Sequence, residues 1–323
     1  MKCTLAKIVL YAVLPAAFVV GKVFSADCIA KHYSVIHIPI RPVSINGSGQ
    51  IAGTSVNRRA AVWTAKTGLR EISVPAGFDN SEATAVNRLG HVVGIANDHE
   101  LSKHQAFLFA DNVVTLLTGQ QSRASYVSES DEIVGESLVN EATVPILWTK
   151  RLLRSLGGCC GGSAKGINKH GDAVGDIYDE QGRYHAFLWT KARGIVQIGP
   201  PDRYSASVAI NDLGHVVVQA YPDVFLYATE TLSRLDLSSK FPNRARAINN
   251  CDVIVGSFGP HSDAARAFIW DRYSGFQDLN SLIASDSGWT LEFATSINDR
   301  GEIVGRGDFQ REDDTGFLLI PAP

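Results

Sequence analysis

Helical periodicity is missing from this chain. No window places apolar residues at a sustained 3.6 spacing, so an α-helical or α/β architecture has nothing to build on. An excess of either charge is missing too. Thirty Lys and Arg stand against 33 Asp and Glu, a net charge of −3. That balance excludes the basic face on which nucleic-acid binding or adhesion to an anionic membrane rests. Methionine occurs once and low-complexity tracts do not occur, which leaves no compositionally disordered segment. There is no Gly-x-Ser-x-Gly elbow, no phosphate-cradling loop and no Gly-x-Gly-x-x-Gly entering a helix. One near miss stands out: His99-Glu100-x-x-Lys103-His104. A zinc-protease helix needs its two histidines at i and i+4, and here the second falls at i+5 between strands, so no metal is assigned to it.

What is present is a repeat. Its clearest copy is Ser296-Ile297-Asn298-Asp299-Arg300-Gly301-Glu302-Ile303-Val304-Gly305. The Ile/Val-Asn pair returns at Asn46, Asn87, Asn168, Asn211, Asn249 and Asn298, with a degenerate copy at Val127-Ser128, at spacings of 41, 41, 40, 43, 38 and 49. Seven copies at a period of about 42 fit four-stranded propeller blades. Each copy holds four short β-branched or aromatic runs bounded by Gly, Asn, Asp or Pro. The Asn-x-x-Gly turn has a simple rationale: Asn caps the turn through backbone amides and Gly accepts positive φ. Copy three has Asp131 at the Gly position. Copy six is expected to carry Cys251 there, a poorer fit that predicts a bulged turn.

The pattern resembles the extracellular HAF-repeat proteins, named for a recurrent His-Ala-Phe. His185-Ala186-Phe187-Leu188-Trp189 carries it literally; Gln105-Ala106-Phe107-Leu108, Arg266-Ala267-Phe268-Ile269-Trp270 and Gly316-Phe317-Leu318-Leu319 are diverged copies, and Leu156-Gly157-Gly158 is similar to that family's Leu-Gly-Gly turn. The resemblance covers residues 32–320. It implies a secreted, repeat-built β-propeller, typically bacterial, with no established activity.

Residues 1–26 read as a signal peptide. Lys2 and Lys7 form a basic region, Ile8 to Val20 is apolar, and Val23-Phe24-Ser25-Ala26 offers a cleavage site. The apolar run is shorter than the roughly 20 residues of a membrane span. Residues 27–323 are then one propeller, exported to the periplasm or beyond. The run from His32 to Ile40 looks like a fourth strand without its first three, and the last copy stops after its third. The N-terminal strand is therefore expected to close the last blade from outside, which removes exposed sheet edges.

This topology puts the Asn-x-x-Gly turns on one plain face. The opposite face receives the longer polar segments at 97–104, 176–184, 261–263 and 308–314. Loops on a rigid scaffold commonly carry function. The candidate ligand-binding residues are accordingly Asp98, His99, His104, Asp176, Asp179, Asp223, His261, Asp263 and Asp308. Together with Glu180, these carboxylates would rim one face and could hold calcium. No loop shows a metal-ligand spacing, so no metal or cofactor is assigned. His91 and His215 share one repeat position and His185 belongs to the repeat phrase, so all three read as structural. Asn46-Gly47-Ser48 fits a glycosylation sequon but lies in the repeat turn.

Of five cysteines, Cys3 leaves with the signal. The ring topology favours Cys28–Cys251, with Cys159–Cys160 as a vicinal bridge. Three functions compete: a scaffold that binds a protein, peptide or glycan; a secreted hydrolase or lyase acting on polysaccharide or a small molecule; and a structural envelope component. The missing catalytic motifs favour the scaffold.

Overall fold

A computed structural model describes residues 29–150, 152–158, 160–237, 243–261, 264–310 and 312–322. The expected signal peptide lies outside them, as do Cys28, Cys159 and Asp263. The chain forms a seven-bladed β-propeller of seven four-stranded antiparallel sheets. Blades 1 to 6 span residues 41–71, 80–116, 122–155, 162–197, 206–234 and 243–278, each with its strands in chain order. Blade 7 joins three strands from residues 289–321 to the N-terminal strand Tyr33–Ile38. That strand runs antiparallel to Glu312–Pro321 as the outermost member, with Tyr33 opposite Pro321 and Ile38 opposite Gly316. The ring is closed as the sequence predicts. Among the described residues, no helix is long and apolar enough to cross a membrane.

The core lies between blades. Each apolar cluster draws on two neighbouring sheets: Ala52, Ala60 and Ile72 of blade 1 pack on Val86, Val92 and Phe107 of blade 2. The closing seam is packed in the same way, with Ile38, Ile40, Val304 and Leu318 against Ile45, Ile51 and Ala61. The repeat glycine of the second strand answers first to the bulged strand beside it: a Cβ at Gly53, Gly94, Gly135, Gly175, Gly256 or Gly305 would lie 1.9–2.2 Å from a first-strand carbonyl oxygen. A Cβ at Gly94, Gly256 or Gly305 would lie 2.7, 2.8 and 2.5 Å from the rings of Phe107, Phe268 and Phe317. Those phenylalanines are fully buried.

The repeated Asn does more than cap its turn. In Asn46, Oδ1 accepts the amides of Ser48 and Gln50 at 3.0 Å, while Nδ2 donates to the carbonyl of Asn87 in the next blade at 2.8 Å. Asn87 donates to Ser128, Asn168 to Asn211, Asn211 to Asn249, Asn249 to Asn298, and Asn298 back to Asn46. Only Ser128, whose hydroxyl meets Ser130 and the Glu132 amide, supplies no such link among the described residues. A belt of buried hydrogen bonds therefore runs round the turn face.

The sixth turn corrects the expectation for Cys251. The glycine position is Asp252, at φ 60°, matching Asp131 at φ 61° in the third turn. Both aspartates accept a neighbouring blade's histidine: His91 Nδ1 lies 2.7 Å from Asp131 and His215 Nδ1 2.7 Å from Asp252. The two histidines are structural, as their equivalent repeat positions imply. Cys251 sits beside the cluster between blades 6 and 7, together with Ile29. Each expected disulfide has one partner outside the described residues.

Candidate ligand-binding site

A β-bulge recurs in the innermost strand of every blade. The register breaks at Val43, Thr84, Ser125, Lys165, Val208, Arg246 and Thr295, always three residues before the repeat Asn or its Ser128 equivalent. A bulge leaves one residue out of the ladder and re-aims its side chain. Thr84 and Thr295 use the freedom to bridge blades, donating to Ala124 O at 2.8 Å and Pro42 O at 3.0 Å. Val43, Arg246 and Thr295 line a cavity of about 1070 Å³.

The cavity lies on the loop face where blade 7 meets blade 1. Its walls come from the end of the closing strand and the start of blade 1 (37–43), the 54–58 hairpin, the start of blade 2, Arg246 of blade 6, and the three C-terminal strands of blade 7. Four guanidiniums line it, Arg41, Arg58, Arg246 and Arg306, and so do four carboxylates, Glu82, Glu312, Asp313 and Asp314. Asp314 takes both Arg41 and Arg306 as ion-pair partners. Arg306 also lies over the Phe293 ring, 5.2 Å from its centroid, an added electrostatic attraction for the cation. Arg58 Nη2 comes within 3.5 Å of His99 Nε2. The Arg246 side chain is open to solvent, yet surrounding protein strips much of its hydration. This desolvation, with the cations of Arg244 and Arg306, draws its guanidinium below the ordinary value. At the edge of the same region, burial raises the Glu292 carboxyl, with Asp308 and Asp314 adding to the effect and Arg306 opposing it.

Asp263 apart, which lies outside the described residues, the expected site residues are spread round the ring and line none of this cavity. Several lie in strands or tight hairpins, because the loops are shorter than their polar sequences imply. Asp98 ends a strand and accepts the amide of Leu101 across the 99–102 hairpin. His99 meets Asn80 Nδ2 at 2.6 Å. His104 is a strand residue opposite Asn97; desolvation and Arg123 lower its pKa against the pull of Glu136. Asp176 is buried in the second strand of blade 4, with the ammonium of bulge residue Lys165 against Oδ1 as an ion pair off the line of a hydrogen bond.

Asp179 organises the following hairpin, accepting the amides of Gln181 and Arg183 at 2.9 Å and Arg183 Nε at 2.8 Å, with His185 Nε2 at 3.0 Å. Desolvation would raise this carboxyl, but the bonds from His185, Arg183 and Gln181 outweigh it and hold it well below the usual carboxylate range. Asp223 is held by Arg203 and Arg234. Asp308 pairs across to Thr290 within blade 7. His261 sits in the hairpin before the third strand of blade 6. Among the described residues, no group of three His, Cys, Asp or Glu side chains is placed to hold a metal ion.

The turn-face end of the channel is different. Tyr126 is 41% exposed; the protein surrounding it and the carboxylates of Glu129, Asp212 and Asp299 push its phenol up. Those acids are already engaged, by Arg88, Lys169 and Asn250. The loop-face cavity is lined by both signs of charge, and its bulge residue Arg246 carries no sequence motif because the residue type at that position varies among blades. Its position, three before the repeat Asn, was countable.

Comparison of the sequence with family models and with curated proteins returns no match. Solved structures match at the level of fold. The chain is similar to virginiamycin B lyase from Staphylococcus aureus (TM-score 0.60, 9% identity, covering 89% of this chain and 99% of that one). It is similar to YCF48 bound to D1 peptide (0.58, 9%, 90% and 97%). It is also similar to the β-propeller domain of the Trilobed protease from Pyrococcus furiosus, described as having an open velcro topology (0.55, 10%, 90% and 94%). Here the N-terminal strand closes the ring. At these identities the likeness establishes the propeller fold, which hosts unrelated functions.

Proposed function

We propose that this chain is an exported binding scaffold that receives its ligand in the cavity at the seam of blades 7 and 1. The observation that carries the reading is the cavity itself. It is concave, about 1070 Å³, walled by strands and furnished with guanidiniums, carboxylates and the Phe293 ring. Ligand sites combine such a concavity with a few placed polar groups. The resemblance to HAF-repeat proteins and the basic-then-apolar N-terminus support export to the periplasm or the cell exterior. The test is a screen of the purified protein on glycan and peptide arrays, alongside Phe293→Ala and Arg58→Ala variants. Binding weakened by both variants supports the seam cavity. Binding that survives them, yet is lost on changing Asp98 or Asp223, would move the site to the outer loops.

A second reading has one observation in its favour. Glu292 adjoins the lining residue Phe293, and burial with Asp308 and Asp314 raises its carboxyl against Arg306, a perturbation of the kind found at functional carboxylates. A hydrolase or lyase acting there would lose turnover on Glu292→Gln while still binding substrate.

A further inference from the structure

Blade 4 carries a row of tyrosines that the repeat does not call for. Tyr178 ends its second strand and faces Tyr184 at the start of its third. The same cross-strand pair is Asn97 with His104 in blade 2 and Leu138 with Thr143 in blade 3, so the propeller itself demands no aromatic pair there. Tyr204, in the connection to blade 5, extends the row. Its ring stacks on Tyr184 with centroids 5.0 Å apart and planes 26° apart, and Tyr178 meets Tyr184 at a steep angle with centroids 6.4 Å apart. Tyr178, Tyr184 and Tyr204 are 39, 38 and 52% exposed. Single exposed apolar side chains are ordinary, whereas contiguous ones mark a contact surface.

The backbone holds these rings in place. Gly161 leaves bare chain beside Tyr178, where a Cβ would lie 3.3 Å from Cδ2 of the ring. Tyr204 is pinned from both sides. Arg203 pairs with Asp223 of blade 5, while Ser205 donates its amide to Tyr184 O at 3.0 Å and accepts the Ala186 amide on its hydroxyl at 3.1 Å. Among the described residues no ring other than Tyr184 stacks on Tyr204, which leaves one aromatic face open. The guanidiniums flanking the row are committed, Arg183 to Asp179 and Arg203 to Asp223, so an anionic chain finds no free cation there. Tyr184 and Tyr204 lie against each other, which leaves no slot between them for a prolyl ring. What the row offers is an electron-rich face with phenol hydroxyls at its rim. A pyranose matches both, with weakly positive C–H groups on its face and hydroxyls at its edge.

We infer that the tyrosine row of blade 4 is a second binding surface, one that takes a neutral oligosaccharide with a sugar ring on the open face of Tyr204. None of its three tyrosines lines the seam cavity, so it goes beyond the scaffold reading above and stands apart from it. A flat row makes few contacts, all of them to side chains, and the expected affinity is weak, with Kd on the order of 1 mM.

The test is isothermal titration of the purified protein with cellohexaose, hexaproline and hexalysine. Cellohexaose is expected to bind best, with an affinity that ionic strength does not change. Tyr204→Ala and Tyr184→Ala should each weaken it at least about five-fold, and Tyr204→Phe should keep most of it. Tyr204→Ala, a surface substitution, should leave the unfolding temperature unchanged. Tyr273→Ala removes an exposed tyrosine outside the row and should not alter binding, and neither should Phe293→Ala in the seam cavity. Tighter binding of hexaproline or hexalysine would overturn the proposal. So would cellohexaose binding that survives both alanine variants, or no cellohexaose binding up to about 10 mM. Loss of cellohexaose binding in Phe293→Ala but not in Tyr204→Ala would move the sugar to the seam cavity, overturning the second surface while supporting the scaffold reading.

Discussion

Asn298 Nδ2 donates to the main-chain oxygen of Asn46 at 3.0 Å across 252 residues of sequence. This bond joins the last blade to the first on the turn face, while the strand Tyr33–Ile38 joins blade 7 at its outer edge. One residue type thus serves local turn geometry through its carbonyl and ring closure through its amide.

Removing that amide has a definite expected cost. Asn298→Ala loses a turn cap and the buried link to Asn46, and should destabilise the propeller by about 1–2 kcal/mol, measured by urea unfolding. The complementary change is Ser128→Asn at the one turn without a donor. It should gain about 0.5–1.5 kcal/mol by completing the belt toward Asn168.

The glycine–phenylalanine contact should tolerate neither a larger nor a smaller partner. Gly256→Ala puts a methyl 2.1 Å from Arg244 O and 2.8 Å from the Phe268 ring, and should cost about 1–3 kcal/mol through overpacking. Phe268→Ala opens a cavity between blades 5 and 6 and should cost about 3–5 kcal/mol. Thermal unfolding of both variants checks the pair.

Glu292 should make stability depend on pH in an unusual direction. Its folded pKa is raised above the ordinary 4.5, so its charged form is disfavoured in the native state. The resulting penalty is present above the folded value and vanishes below the ordinary one. Glu292→Gln should therefore raise the unfolding temperature at pH 7 and leave it unchanged below pH 4.5. An equal gain at both pH values would show that charge is not the cause.

Asp179 should behave in the opposite sense. Its carboxyl is held below the ordinary 3.8 by His185, Arg183 and Gln181 against desolvation. The stability it contributes is complete above the unfolded value and is lost as pH falls through the folded one. The advantage of the wild type over Asp179→Asn should be full at pH 6 and shrink below pH 3.8, as read by urea unfolding across that range.

Much of the fold was legible because a propeller writes its period into its turns. The Ile-Asn recurrence gave the blade count, and the unmatched strand at 32–40 gave the closure. The site was less legible. His104 sits among polar residues that look like loop yet lies near the start of a strand, and Asp176, at the edge of a polar run, is buried within a strand. The cavity gathers residues from 37–58, 80–82, 246 and 293–316, and only the closed ring brings these together. The bulge ring varies from Val to Lys to Arg and shows no motif. Its constant feature is distance from the repeat Asn, a signal that counting could have recovered. In the sixth turn the glycine position is Asp252 and not Cys251, because Asp tolerates the left-handed backbone there.

The most direct test of the seam cavity as the binding site is hydrogen–deuterium exchange of the purified protein with and without the strongest array ligand. The account predicts slowed exchange at 37–43, 54–58 and 312–316, with little change at 98–104 and 179–185. Protection confined to those outer hairpins, with the seam unchanged, would contradict it.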